Sequence, residues 1–390
     1  MHLAPSKDSY CGSDRPDPSP ECRAASVPIP WFRPEVGYRE KEFVLEVLES
    51  QYLNDGEVTA RFEQTLADFL GVRYCVAVTS GTAALTLALM ALGIGRGDEV
   101  IVPDFTFIAT ANAVRLAGAD VKLVDIEPKR FTLDAEKVRE SIGIRTKAIV
   151  AVDVNGRSAS YGDLESIAAE KGIYLVCDAA EALGSRYGDR CLGTFGHAGC
   201  FSFSANKTLT TGQGGLITTS DIDTYHRLLE LKDQGRRTRG TGGDDLHPAM
   251  GYNFKFTNLQ AALGLAQFER LSERLQHAGR RDEWYLRKLG HHPRFLLPSR
   301  NNRTGEITQW TDLLADDRSA VETALRNAGI GYRCFWHPLH RQRPYAADDA
   351  DFSHTIEISR KGLWLPSSFS LTEEQVGRIV EALQGVTAHA

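Results

Sequence analysis

Residues 75–92 read CVAVTSGTAALTLALMAL, which is a strand-like run, a turn of small residues and an apolar helix in direct succession. The turn consists of Ser80, Gly81 and Thr82, so it places free backbone N–H groups at a helix N-terminus, where anions bind. Taken alone, the pattern favours a simple Ser/Thr N-cap with a glycine turn. A phosphate site is the alternative, and its support comes from the other motifs of the chain.

The same alternation of strand and helix continues beyond this stretch. Strand-like apolar runs lie at 75–79, 99–103, 120–126, 147–154 and 173–178, and helical stretches lie at 83–92, 107–117 and 163–171. This rhythm predicts an α/β fold with a mostly parallel central sheet covered by helices. Ligands of such sheets bind beyond the carboxyl ends of the strands, which is where Ser80 and Asp178 are expected.

The chain divides into three regions of different character. Residues 1–27 are rich in Pro, Ser, Asp and Arg without apolar periodicity, which predicts a disordered tail. Residues 28–256 contain the alternating region and are predicted to form a large domain. An apolar stripe predicts one long helix over 257–290, which leads into a smaller C-terminal α+β domain within 257–390.

Composition excludes several classes of protein. The chain has 390 residues with a net charge of −6 and no basic block, which argues against a general nucleic-acid surface. It has no apolar run of about 18 residues and no N-terminal signal pattern, so we expect a cytoplasmic protein without a membrane segment. Its seven cysteines are scattered without a C-x-x-C pair, as expected for reduced thiols.

A lysine and an aspartate indicate a cofactor. Lys207 lies in FSFSANKTLTTGQGG (201–215), and Asp178 follows the apolar run IYLVC. Pyridoxal 5'-phosphate needs a lysine amine to hold its aldehyde as a Schiff base and a carboxylate to keep its ring nitrogen protonated. A surface lysine and a strand-end cap are the alternatives for these two residues, but together they predict a pyridoxal phosphate site.

Several longer motifs carry a resemblance to a known family. They are SGTAAL at 80–85, PDFTFIATANAV at 103–114, DAAEALGS at 178–185, GCFSFSANKTLTTGQGG at 199–215, GYNFKFTNLQAALG at 251–264 and HPLH at 337–340. From about Ile29 onward the chain resembles the DegT/StrS family of fold type I pyridoxal phosphate sugar aminotransferases. The resemblance implies transfer of an amino group from L-glutamate or glutamine to a keto sugar in deoxyaminosugar biosynthesis. The sugar is expected to be a nucleotide-linked 3- or 4-keto-deoxysugar.

The resemblance also implies roles for individual residues around the cofactor. Gly81, Thr82 and Ser202 would bind the phosphate, Phe107 would stack on the ring, and Glu181 would contact the region of the ring hydroxyl. Lys207 and Asp178 would be the catalytic residues.

Asn253 would reach the phosphate from the partner subunit, which implies a homodimer with active sites shared across the interface. The sequence NKT at 206–208 is similar to one branch of the family, although Gln213 stands where that branch usually has glutamate.

Three residues are predicted to contact the substrate: Asn155, Trp336 and His340. Asn155 belongs to DVNG at 153–156, where the family usually has His-Leu-Tyr-Gly near the sugar site. Because of this difference, the resemblance does not identify which keto sugar binds.

Several alternatives remain open from the sequence. A keto-cyclitol could replace the sugar. A sugar dehydratase of the same fold would carry histidine in place of Lys207, and a non-catalytic regulatory protein would not need the complete residue set. The pair His337 and His340 lacks a further ligand cluster, so we expect no metal.

Overall fold

The computed structural model describes residues 27–236, 246–298 and 305–386, so the predicted tail lies outside the described residues except for Val27. The helices are α1 Tyr38–Ser50, α2 Glu57–Leu70, α3 Gly81–Ala91, α4 Ala109–Leu116, α5 Ala135–Ser141, α6 Tyr161–Lys171, α7 Ile222–Lys232, α8 Asn258–Glu269, α9 Leu271–Leu289, α10 Arg318–Asn327, α11 Ser353–Lys361 and α12 Glu373–Gln384. The strands are β1 Tyr74–Val78, β2 Glu99–Pro103, β3 Asp120–Val124, β4 Thr146–Val152, β5 Tyr174–Asp178, β6 Arg186–Tyr187, β7 Arg190–Cys191, β8 Ala198–Ser202, β9 Gly215–Thr219, β10 Phe295–Leu296, β11 Thr311–Ala315, β12 Arg333–Cys334 and β13 Gly362–Leu365.

The central sheet has seven strands in the order β1–β9–β8–β5–β4–β2–β3. Strand β9 runs antiparallel to both of its neighbours, and the other pairs are parallel. The predicted α/β fold with a mostly parallel sheet is therefore confirmed. The carboxyl ends of the parallel strands meet at one edge, and Gly215, which begins β9, lies opposite both Val78 and Ser202 at that edge.

Both faces of this sheet are buried. In β4, Ile149 and Ala151 pack into one apolar core, whereas Ala148 and Val150 pack into another. Successive side chains of a strand point to opposite faces, so an uninterrupted apolar run such as this one needs a layer of helices on each side. The first core includes side chains of α2, α6 and α8, and the second includes side chains of α3, α4 and α7.

The region predicted as one long helix is two helices. Helices α8 and α9 meet at Arg270, whose backbone (φ −103°, ψ 7°) leaves the helical region. Helix α8 begins with a capping box in which Thr257 and Gln260 bond each other's backbone N–H groups. The apolar stripe continues on both sides of Arg270, and no Gly or Pro lies at the break itself, so sequence periodicity does not reveal it.

A second sheet of four antiparallel strands, β10–β11–β13–β12, lies in the C-terminal part. Its core includes Tyr285 of α9, Val321 of α10 and Ile379 of α12. Ile29 also packs into this core, and its backbone bonds Gly329 and Gly331. The sequence had assigned Ile29 to the large domain, and the division at residue 256 stays a prediction. Across the described ranges, no helix is both long enough and apolar enough to cross a membrane.

Candidate active site

A cavity of about 280 Å³ lies at the carboxyl edge of the central sheet. It is lined by residues from the ends of several parallel strands, from the loop between β8 and β9, and from the C-terminal part of the chain. Eight of the residues predicted to contact the cofactor or the substrate meet there: Gly81, Thr82, Phe107, Asp178, Glu181, Ser202, Lys207 and Trp336. The cavity thus brings residues together that are far apart in the sequence.

The N-terminus of α3 forms one wall of the cavity. Ser80 is the N-cap, and its Oγ accepts a hydrogen bond from the Ala83 N–H at 3.1 Å. A Cβ added to Gly81 would lie 2.9 Å from the Cβ of Ser202, so a larger residue would fill the space between the helix end and β8. This cradle of backbone N–H groups and a serine hydroxyl fits a phosphate group.

Asp178 ends β5 at the floor of the cavity. Its Oδ2 accepts a hydrogen bond from Thr110 Oγ1 at 2.7 Å, and its Oδ1 accepts one from the Ala180 N–H at 3.2 Å. Burial nevertheless raises the pKa of Asp178 above its usual range, because these hydrogen bonds offset only part of the lost hydration. A cation facing this carboxylate, such as a protonated pyridine nitrogen, would stabilise its charged form.

Lys207 lies on the loop between β8 and β9, with its side chain only 11% exposed. Its Nζ lies 3.3 Å from Oε1 of Glu181 and 5.0 Å from the centroid of the Trp310 indole ring. The amine of Lys207 is therefore held between a carboxylate and an aromatic face.

Phe107 and Trp336 supply aromatic surface to the cavity. Phe107 is 50% exposed although it lines the cavity, so one face of its ring is free to stack on a flat ligand. Trp336 is buried and packs against Phe105 and Trp364.

Asn155 does not line the cavity, and its predicted contact with the substrate stays a prediction. Asn155 is fully buried in a left-handed conformation (φ 52°). Its Nδ2 donates to the Trp310 carbonyl at 2.7 Å and to Asp312 Oδ2 at 2.9 Å, and its Oδ1 accepts from the Trp310 N–H at 2.8 Å. Its own N–H donates to Glu181 Oε2 at 3.0 Å. Asn155 therefore holds Trp310 and Glu181, the two residues that flank Lys207.

His340 is also buried and does not line the cavity, and its predicted substrate contact stays a prediction. Its Nδ1 lies 2.6 Å from Asp104 Oδ2, its Nε2 lies 3.0 Å from Asp349 Oδ1, and its ring stacks on Phe352. Both ring nitrogens are thus engaged within the chain. In the part of the chain that the structure describes, no group of three or more His, Cys, Asp or Glu residues could hold a metal ion.

Asn253 does not line the cavity of its own chain. It is exposed and forms an isolated β-bridge with Asp233. Its predicted role toward a partner subunit stays a prediction.

Three further residues of the site were not predicted from the sequence. Thr110 bonds Asp178, Trp310 packs on Lys207, and Arg333 lines the cavity. Thr110 lies on α4, inside the quoted motif PDFTFIATANAV, and its position after β2 could have indicated it. No sequence signal pointed to Trp310 or Arg333, because both come from the C-terminal part.

The fold and the cavity together define a pyridoxal phosphate-dependent enzyme of fold type I. A family model described as the DegT/DnrJ/EryC1/StrS aminotransferase family matches residues 34–384, and the chain belongs to this family. The predicted aminotransferase activity and the predicted cofactor are thereby confirmed.

Individual relatives and solved structures agree with this assignment. The chain is 37% identical over 363 residues to GDP-perosamine synthase of Caulobacter vibrioides, with 90% of this chain and 96% of the relative covered. It is 34% identical over 325 residues to UDP-N-acetyl-3-dehydro-alpha-D-glucosamine 3-aminotransferase of Acidithiobacillus ferrooxidans, with 83% and 86% covered. The crystal structure of S. venezuelae DesV superposes with a TM-score of 0.85 at 30% identity, covering 88% of this chain and 93% of DesV.

Proposed function

We propose that this enzyme transfers an amino group from L-glutamate, or glutamine, to a keto sugar linked to a nucleotide. The observation that carries the proposal is the meeting of Lys207, Asp178 and the N-terminus of α3 in one cavity. These three features supply an amine, a carboxylate for a ring nitrogen and a phosphate cradle, and a pyridoxal phosphate transaminase needs all three.

The proposed roles follow from the contacts of each residue. When bound, pyridoxal phosphate supplies the group that carries the amino nitrogen and a ring that accepts electrons. Gly81, Thr82 and Ser202 would hold the phosphate, and Asp178 would hold the ring nitrogen in its protonated form. Lys207 would act as the general base that takes the proton from the α-carbon of the amino donor.

Glu181 supports this role of Lys207. Its two oxygens contact Lys207 Nζ and the Asn155 N–H, so the carboxylate is fixed beside the amine. A base that is fixed in this way keeps the same geometry through each turnover.

The sugar class rests on the relatives. One is named for GDP-perosamine and another for a UDP-linked 3-dehydro sugar, so a nucleotide-linked 3- or 4-keto-deoxysugar is the proposed acceptor. The proposal places the enzyme in deoxyaminosugar biosynthesis in the cytoplasm. It also includes a homodimer in which Asn253 of each subunit completes the site of the other.

The test is a titration of the cofactor-loaded enzyme with L-glutamate, in which the visible absorbance of the bound cofactor and the release of 2-oxoglutarate are both followed. We expect conversion by the wild-type enzyme and a rate about 10²- to 10⁴-fold lower for Lys207→Ala, since general acid–base catalysis contributes this much. If the loaded wild-type enzyme responds to neither glutamate nor glutamine, the proposed function is wrong.

A further inference from the structure

Arg333 brings a second positive charge to the cavity. The charged residues that line the cavity are Asp178, Glu181, Lys207 and Arg333. Lys207 contacts Glu181, and Asp178 is the proposed partner of the cofactor ring. Among the residues that the structure describes, Arg333 is therefore the lining charge that contacts no carboxylate.

The surroundings of Arg333 explain how its side chain is aimed. Arg333 lies on β12, where it pairs with Trp364 of β13. Its guanidinium carbon lies 5.3 Å from the centroid of the Trp31 ring and 5.7 Å from that of Trp364. The next residue, Cys334, contacts Glu322 instead. The two indole rings thus hold the guanidinium in place, and Arg333 lines the cavity.

The N–H donors of the Arg333 guanidinium have no acceptor among the described residues. Within the described ranges, its guanidinium makes no ion pair and no hydrogen bond, and its contacts are with aromatic faces. The fully buried Arg157, by contrast, is paired with Asp312. A guanidinium carries five N–H donors in a planar fork that matches a carboxylate or a phosphate.

We propose that Arg333 binds an anionic group of the substrate, either a carboxylate of the amino donor or the diphosphate of the nucleotide sugar. This proposal rests on the proposed function, because it takes the substrates of that reaction as its ligands. The two indole rings hold the guanidinium in place before the ligand binds, so little side-chain entropy is lost on binding. Arg333 would therefore set the preference for anionic substrates over neutral ones.

The experiment compares Arg333→Gln and Arg333→Lys with the wild type in the cofactor-loaded enzyme. One arm measures the L-glutamate concentration that gives half-maximal conversion of the cofactor absorbance. The other arm measures the affinity for GDP and for UDP by titration calorimetry. Arg326→Gln is the matched control, since Arg326 is an exposed arginine of the same C-terminal part that does not line the cavity.

We expect Arg333→Gln to weaken binding in at least one arm by about tenfold or more, because it removes charge-assisted hydrogen bonds. Arg333→Lys keeps the charge but not the planar fork, so a smaller loss is expected. A loss confined to L-glutamate identifies a carboxylate as the ligand, and a loss confined to the nucleotides identifies the diphosphate.

If Arg333→Gln binds both L-glutamate and the nucleotides as tightly as the wild type, with an unchanged melting temperature, the proposed role of Arg333 is wrong. An equal loss of affinity in Arg326→Gln would also contradict it, because the loss would then come from the removal of a positive charge from the protein and not from a contact of Arg333. If the wild type fails to react with glutamate, the proposed function fails, whereas the nucleotide arm still decides the role of Arg333.

Discussion

The carboxylate of Asp178 has opposite effects on folding and on cofactor binding. Burial raises its pKa in the folded chain, so the folded chain binds the proton more tightly than the unfolded chain does. The stability that this group contributes is therefore fully present below about pH 4, its unfolded pKa, and is lost as the pH rises through the raised folded pKa. Above that raised pKa the charged form destabilises the cofactor-free protein.

Replacing Asp178 by Asn should separate these two effects. The amide keeps both contacts, because the hydroxyl of Thr110 can accept a hydrogen bond as well as donate one. We expect the cofactor-free Asp178→Asn protein to melt at pH 8 no lower than the wild type, while the melting-temperature increase caused by pyridoxal phosphate shrinks. Thermal melts at pH 5 and pH 8, with and without cofactor, check this. A variant that is less stable than the wild type without cofactor would contradict it.

Individual residues differ in how well the sequence predicts them. Lys207 and Asp178 could be found because their chemistry is distinctive and each lies in a motif beside a strand. The sequence does not reveal how Asn155 and His340 are held, because the partners that engage them, Asp312 and Asp104, are more than a hundred positions away. Arg333 was missed for the same reason, since its significance depends on what surrounds it in space.

Elements of the fold were predicted where periodicity specifies them. The strand-like runs and helical stretches of residues 75–178 match β1 to β5, α3, α4 and α6 to within a few residues. The direction of β9 was not predictable, because the run GLITT has the same apolar pattern whether it pairs parallel or antiparallel. The break at Arg270 had no Gly or Pro to mark it.

The start of α3 gives a prediction at the scale of an element. Gly81→Ala places a methyl group 2.9 Å from Ser202 Cβ, so either the helix end or β8 must shift. Overpacking of this kind costs about 1–3 kcal/mol, and we expect the loss in the affinity for pyridoxal phosphate. Equilibrium titration with the cofactor measures it.

The matched control for this variant is Gly279→Ala within α9, where an added Cβ meets no atom within 4 Å. It should leave the cofactor affinity unchanged and raise the unfolding free energy by roughly 0.5–1 kcal/mol, since Gly disfavours a helix interior. Equal cofactor affinity in wild type and Gly81→Ala would refute the proposed phosphate cradle.

At the scale of the whole molecule, the proposed dimer predicts that two inactive variants restore each other. Asn253 is exposed on its own chain, close to the 78% exposed side chain of Met250. If Asn253 serves the partner's cavity, a heterodimer of Lys207→Ala and Asn253→Ala subunits contains one site with both residues intact. The mixture should then reach about a quarter of wild-type activity after random subunit exchange.

Each variant alone is the control for this mixture, together with the molar mass of the wild type by light scattering. If Asn253 acts within its own chain, the mixed sample will be no more active than the average of the two separate variants. A monomeric wild type would rule out the shared site altogether.

The position of β9 between β1 and β8 also determines when the central sheet can form during synthesis of the chain. Strand β1 is the first of the central sheet to be synthesised, but it joins the sheet through β9, which ends at Thr219. Until then the nascent chain carries an apolar strand with unpaired backbone groups, which is a target for chaperones and for aggregation. The phosphate cradle needs Gly81 beside Ser202, so it too is assembled only in the second half of translation.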